Sequence, residues 1–119
     1  MKLLSIIELG GYPNFVPLYE SLGYEVTVQN SMRKSMSWLK KNTPDVVVAE
    51  YNWQSDFRDR SSNLETLMAP LRKMPDTRLV CFYEKAYEDK LEKFRDIFSV
   101  HAALPLPVDE QALRAALES

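Results

Sequence analysis

The sequence predicts a three-layer α/β fold, a doubly wound five-stranded parallel sheet with helices on both faces. Three observations predict it. Strand-like apolar runs recur along the chain, each followed by one helical pattern. No run is joined to the next by a hairpin signal, so neighbouring strands need helical crossovers and run parallel. The third run, DVVVAE at 45–50, sets Val46, Val47, Val48 and Ala49 side by side with no polar residue between them. That pattern suits a strand buried on both faces.

The elements follow in order. KLLSIIEL at 2–9 reads as the first strand. NFVPLYESLG at 14–23 is a helix with Asn14 as N-cap, Pro17 in its first turn and Gly23 as its stop. EVTVQN at 25–30 alternates at period 2 as a second strand, and Ser31 then caps a helix on which Met32, Met36 and Leu39 share a face. Trp38 on that helix belongs to the core or its edge. Pro44 ends the helix and the third strand begins. Asn63 caps NLETLMAPLRKM, whose stripe is Leu64, Leu67, Met68 and Leu71, with Pro70 kinking or shortening the helix. TRLVCFY at 77–83 is the fourth strand, and Tyr87, Leu91, Phe94 and Phe98 line one face of a charged fourth helix. VHAALPL at 100–106 is the fifth strand, and Asp109 caps EQALRAALE. Right-handed crossovers at this size favour the flavodoxin-like strand order 2-1-3-4-5.

A chain of 119 residues with 45% hydrophobic content fits one domain, residues 1–119. Fifteen Lys and Arg against seventeen Asp and Glu, mixed along the chain, leave a formal charge of -2. That balance calls for neither direct nucleic-acid binding nor a membrane. Glu8 interrupts the first apolar run and no cleavage site follows it, so a cytoplasmic protein is expected. Cys81 is the only cysteine and lies within the fourth strand, which excludes an internal disulfide and predicts a buried thiol. His101 is the only histidine, so no His pair exists for metal binding or acid–base work, and a structural role is expected. No catalytic residue, metal or cofactor is expected.

Ligands of open α/β sheets collect at the C-terminal ends of the strands, beside the switch in strand order. In the order 2-1-3-4-5, strands 1 and 3 are neighbours there. Glu8 and Glu50 are therefore expected to face each other as a candidate acidic site. With no cation between them their like charges repel, and Glu50→Gln is expected to be neutral or mildly stabilising.

The order of elements, DVVVAEYN at the third strand and LPVDEQALRAAL near the C-terminus resemble the CheY-like receiver domains of two-component response regulators. The corresponding stretches of that family run DLVLLDxxMP and KPVDxEEL, and the resemblance covers nearly the whole chain. In the family an Asp ending strand 3 accepts a phosphoryl group and an acidic pair ending strand 1 holds Mg²⁺. A Thr or Ser ending strand 4 and a Lys before a proline after strand 5 meet the phosphate. Carried over, the phosphoacceptor position is Glu50 and the acidic pair falls on Glu8 and Leu9. The hydroxyl position falls on Tyr83 or, with a shift of one residue, Phe82, and the lysine position is Leu106. One acid, the hydroxyl and the cation are thus replaced, and octahedral Mg²⁺ ligation loses a carboxylate. The resemblance implies a degenerate receiver, a bacterial signalling or regulatory module that works by protein–protein contact without phosphorylation. The alternative is a receiver still phosphorylated at the Glu50 position in a two-component phosphorelay.

Between Glu50 and Asn63 lies YNWQSDFRDRSS, longer than the usual receiver loop by about five residues. It concentrates Trp53, Phe57, Arg58 and Arg60, and aromatics with Arg are the composition of interface anchors. These four are the candidate partner-binding residues, for a protein partner or a second copy of the chain. The competing reading folds both rings back as a lid on the old pocket. Should the lid hold, the partner surface is expected at Lys85, Glu88 and Lys93 around the fourth helix. Rival ligand classes lack their loops: GGYPNF has no hydroxyl-rich phosphate turn, no third Rossmann glycine and no Walker Gly-Lys-Ser, and no cobalamin-type Asp-x-His-x-x-Gly occurs. Gly10 and Gly11 leave room only for anion binding at the first helix N-terminus.

Overall fold

The computed structural model describes the backbone of residues 1–55, 60–62 and 64–119, and the side chains of residues 1–52 and 64–119. The described elements run β1 (Lys2–Ile6), α1 (Val16–Ser21), β2 (Glu25–Gln29), α2 (Met32–Leu39), β3 (Val46–Tyr51), β4 (Trp53–Ser55), β5 (Arg60–Ser62), α3 (Leu64–Leu71), β6 (Arg78–Tyr83), α4 (Glu88–Ile97), β7 (Ala102–Pro105) and α5 (Glu110–Glu118). One five-stranded sheet has the order β2-β1-β3-β6-β7, which is 2-1-3-4-5 once β4 and β5 are set aside. Every pairing within it is parallel.

The sheet divides the core in two. Leu4, Ile6, Val47, Ala49, Cys81 and Tyr83 pack with residues of α2, α3 and α4, while Leu3, Val46, Val48, Val80 and Phe82 pack with residues of α1 and α5. Successive residues of β3 alternate between these clusters, and all of them are buried. Its unbroken apolar run is explained by that double burial. Cys81 is fully buried, and loss of water pushes its thiol up to about 12. Trp38 packs at the edge of the core, and Tyr87, Leu91, Phe94 and Phe98 share one face against it.

Capping signals held at two helices. Ser31 Oγ accepts from the Lys34 N–H at 3.1 Å, and Asp109 Oδ1 accepts from the Gln111 N–H at 3.2 Å. On α2 the buried positions are Ser35 and Leu39, with Met32 packed beside them. Ser35 lies inside because its hydroxyl donates to Ser31 O at 2.8 Å, satisfying the polar atom locally. α1 starts later than its sequence pattern, with Phe15 in the cap position, and Asn14 Oδ1 accepts instead from the Val16 N–H at 3.1 Å. Gly23, at φ +92°, adopts the left-handed conformation that ends this helical segment. α3 stops at Leu71, one residue after Pro70, and Asn63 lies outside the described residues.

Two differences from the sequence reading bear on function. β1 leaves the sheet at Ile6, so residues 7–15 form a connection over the strand ends instead of extending the strand to Leu9. The stretch after β3, expected as an irregular loop, contains the antiparallel pair β4 and β5 with register Trp53↔Ser62, Gln54↔Ser61 and Ser55↔Arg60. The sheet count of five strands holds for the main sheet, and this hairpin is additional. Its strands are three residues each, and no Asn-Gly or Asp-Gly stands between them to announce a turn.

Candidate functional site

Glu50 is the penultimate residue of β3, at the C-terminal ends of the strands. The pairing of β1 with β3 runs only to Ile6↔Ala49, whereas β3 continues beside β6 through Glu50↔Phe82 and Tyr51↔Tyr83. One side of β3 is therefore free of strand neighbours at the level of Glu50, and the connection leaving β1 closes over it.

The closure is made of hydrogen bonds to the carboxylate. The N–H groups of Leu9 and Glu8 donate to Glu50 Oε1 at 2.8 and 3.2 Å. The Gly10 N–H and the Tyr12 hydroxyl donate to Oε2 at 2.9 and 2.7 Å. Glu50 is only 5% exposed, and a buried carboxylate needs such donors to replace its water. Gly10 and Gly11 have φ of +72° and +87°. These left-handed conformations turn successive peptide units so that their amides point inward.

Tyr12 links this contact to the core. Its ring meets Phe82 edge-on at 5.2 Å and stacks near Phe15 at 6.2 Å, and Phe15 in turn meets Phe82 at 6.0 Å. Burial, the hydrogen bond to Glu50 and the charge of that carboxylate, with a smaller push from Tyr19, hold the Tyr12 phenol well above the ordinary tyrosine range. The phenol is thus a fixed donor at neutral pH.

This geometry corrects the picture of two acids in repulsion. Glu8 and Leu9 do contribute to the site, but through their backbone amides, and the Leu9 side chain is 77% exposed. It corrects the anion-site expectation as well. The convergent amides belong to the loop, well before α1 begins at Val16, and the anion they hold is the protein's own. Sequence reasoning missed Tyr12. The signal that could have found it is a lone tyrosine directly after a Gly-Gly turn facing a strand-end acid.

The remaining positions are distributed as follows. Phe82, in register with Glu50, packs with Phe15 and Val48 on its side of the sheet. Tyr83 belongs to the opposite cluster, and its hydroxyl donates to Glu88 Oε1 at 3.4 Å. Leu106 is partly buried against the α1 and α5 side. Tyr12, Pro13, Glu84, Leu106 and Pro107 line a surface recess of about 380 Å³, with no Lys or Arg among its described lining residues. Among the described residues no three His, Cys, Asp or Glu side chains form a group that could hold a metal ion. The family's Mg²⁺ does not fit these residues, because both Glu50 oxygens already face N–H and O–H donors and Leu9 supplies no oxygen from its side chain.

β4 follows β3 after Asn52 alone, so the hairpin departs directly from this mouth. Phe57 and Arg58 lie outside the described residues, as do the side chains of Trp53 and Arg60. His101 is exposed, and its Nε2 lies 3.1 Å from Ala116 O and 2.7 Å from Ser119 Oγ, a contact with the end of α5. No described helix is long and apolar enough to cross a membrane.

Comparison with known proteins gives a consistent fold. The chain matches no family model and no curated protein by sequence. Among solved structures it is similar to a response regulator receiver domain protein from Clostridium thermocellum, with a TM-score of 0.75 and 21% identity over 98% of this chain and 90% of that one. A sensor protein from Polaromonas sp. JS666 gives 0.71 and 19%, covering 98% and 93% of the two chains. A LuxR-family DNA-binding response regulator from Staphylococcus aureus gives 0.72 and 16%, covering 99% and 97%. The chain has the receiver fold.

Proposed function

We propose that this chain, with its receiver fold, is a degenerate receiver: a single regulatory domain spanning residues 1–119 that acts through protein–protein contact and accepts no phosphoryl group. The observation that carries the reading is the engagement of both Glu50 oxygens by Glu8, Leu9, Gly10 and Tyr12 in a site that is nearly closed to solvent. A carboxylate that attacks phosphorus must present a free oxygen in line with the leaving group, with a cation to neutralise the transferred charge. Both Glu50 oxygens are already engaged by donors. Its oxygens are directed into the loop, and the resemblance puts Leu106 at the position of the family's lysine.

The extra methylene of Glu over Asp is what this arrangement uses, adding about 1.5 Å of reach toward the loop amides. The residue then fastens β3 to the β1–α1 connection as a structural tie. Under this reading the domain has no enzymatic role and works in the cytoplasm of a bacterium. Its partner is read by the β4–β5 hairpin, where Trp53, Phe57, Arg58 and Arg60 supply aromatic and cationic anchors.

Acetyl phosphate with Mg²⁺ tests the central claim. The intact-protein mass is expected to stay unchanged after incubation. A gain of one phosphoryl mass that disappears in Glu50→Gln would overturn it and restore the phosphorelay alternative.

A further inference from the structure

Three consecutive amides and a hydroxyl aimed at one carboxylate form a receptor as well as a tie. The donors at Glu8, Leu9, Gly10 and Tyr12 come from one short segment, whereas the anion comes from β3, 38 to 42 residues further along the chain. Nothing covalent requires the anion to be part of the same chain. The turn of that segment is set by left-handed backbone at Gly10 and Gly11, a local feature that does not depend on the length of residue 50. The Tyr12 ring is held by Phe15 and Phe82 and keeps its hydroxyl in place by packing.

We propose that the 8–12 segment is a preorganised carboxylate receptor whose resident ligand is the Glu50 side chain, so that removing this side chain opens a site for a small free carboxylate. Two oxygens on one carbon match the pairing, because Glu8 and Leu9 address one oxygen and Gly10 and Tyr12 the other. The inference concerns the loop's recognition chemistry and stands whether or not the domain acts through a protein partner.

The test uses the full chain carrying Glu50→Ala, with formate and acetate as probes at constant ionic strength against chloride. The expected result is a saturable rise in melting temperature with either carboxylate, absent from the wild type, accompanied by amide NMR shifts at Glu8, Leu9 and Gly10. Adding Tyr12→Phe should weaken the response. Equal responses of Glu50→Ala and wild type, shifts that map elsewhere, or a response to inorganic phosphate without one to formate or acetate would each overturn the proposal. Should Glu50→Ala fail to fold, hydrogen exchange in wild type and Glu50→Gln decides the matter. The Gly10 amide lies outside regular secondary structure and is expected to exchange at least about tenfold faster in the Gln variant. Equal rates would refute the receptor.

Discussion

A carboxylate at 5% exposure costs several kcal/mol of lost hydration unless its oxygens are met by donors, and Glu50 is met on both. Glu50→Gln removes half of that match. The Gln carbonyl can still accept from Glu8 and Leu9, and the Tyr12 hydroxyl can turn to accept from the new amide. The Gly10 N–H cannot turn, and it is left facing another donor. A loss of about 2 kcal/mol is expected, opposite in sign to the neutral or mildly stabilising effect that repulsion between two acids implied. Tyr12→Phe keeps the aromatic contacts and removes only the 2.7 Å hydrogen bond to Oε2. It should cost about 1.5 kcal/mol, within the usual range for a bond to a charged group. Denaturant melts of the two variants check both values, and a Gln variant as stable as wild type would mean that the donors do not bind the charge.

At the scale of elements, helix ends are fixed by particular side chains, and α5 depends on a residue from a strand. Arg78, the first residue of β6, donates through one nitrogen to Leu117 O at 3.2 Å and Ser119 O at 2.6 Å, and through another to the Tyr24 hydroxyl at 2.9 Å. Tyr24 donates in turn to Leu117 O at 3.2 Å. A cation at a helix C-terminus satisfies carbonyls that lack intrahelical partners and complements the negative end of the dipole. Arg78→Gln is expected to cost about 1 kcal/mol, the bonds being partly exposed, and to speed hydrogen exchange in the last turn of α5. Exchange that increases evenly over the whole sheet would show that Arg78 supports the fold globally and not this helix end. The β4–β5 hairpin is a different kind of element, two strands of three residues each that follow β3 after Asn52 alone.

For the whole molecule, the two-sided core sets the response to alkali. Burial pushes Cys81 from 9.0 up to about 12 and, with help from nearby acids, Tyr51 from 10.0 up to about 12. Tyr12 and Tyr19 are raised as well, chiefly by burial. A folded-state value above the unfolded one means stability that is complete below the unfolded value and is lost as pH rises toward the folded one. Stability from these groups should therefore hold to about pH 9 and fall progressively to about pH 12. Thermal melts across that range check it. Cys81→Ser, which removes the lowest-lying of these titrations, should delay the onset. The partner reading is also a property of the whole molecule. Trp53→Ala is expected to weaken capture of the partner at a binding cost of about 2 kcal/mol or more while shifting fold stability by no more than about 0.5 kcal/mol. A fall in melting temperature of several degrees would instead make the ring a lid, and charge reversal at Lys85, Glu88 and Lys93 would then be the surface to test.

Local physics made most of the architecture legible. Alternation of strand and helix patterns, four successive apolar residues in β3, and caps at Ser31 and Asp109 each follow from neighbours within a few positions, and together they pointed to a parallel sheet, whose order came from the general crossover rule. The same locality marked Glu50 as the residue at the mouth. It could not say what Glu50 touches. Whether two acids repel or a loop folds over one of them depends on where β1 leaves the sheet, and β1 ends at Ile6 although the apolar pattern continues. The early exit frees the amides of Glu8, Leu9 and Gly10 and brings Tyr12 against Phe82. Those contacts span 38 to 42 residues of separation for Glu50, and all but the Tyr12 hydroxyl arise from backbone amides. Side-chain identity therefore does not mark the three amides, and only the folded chain decides where such groups converge.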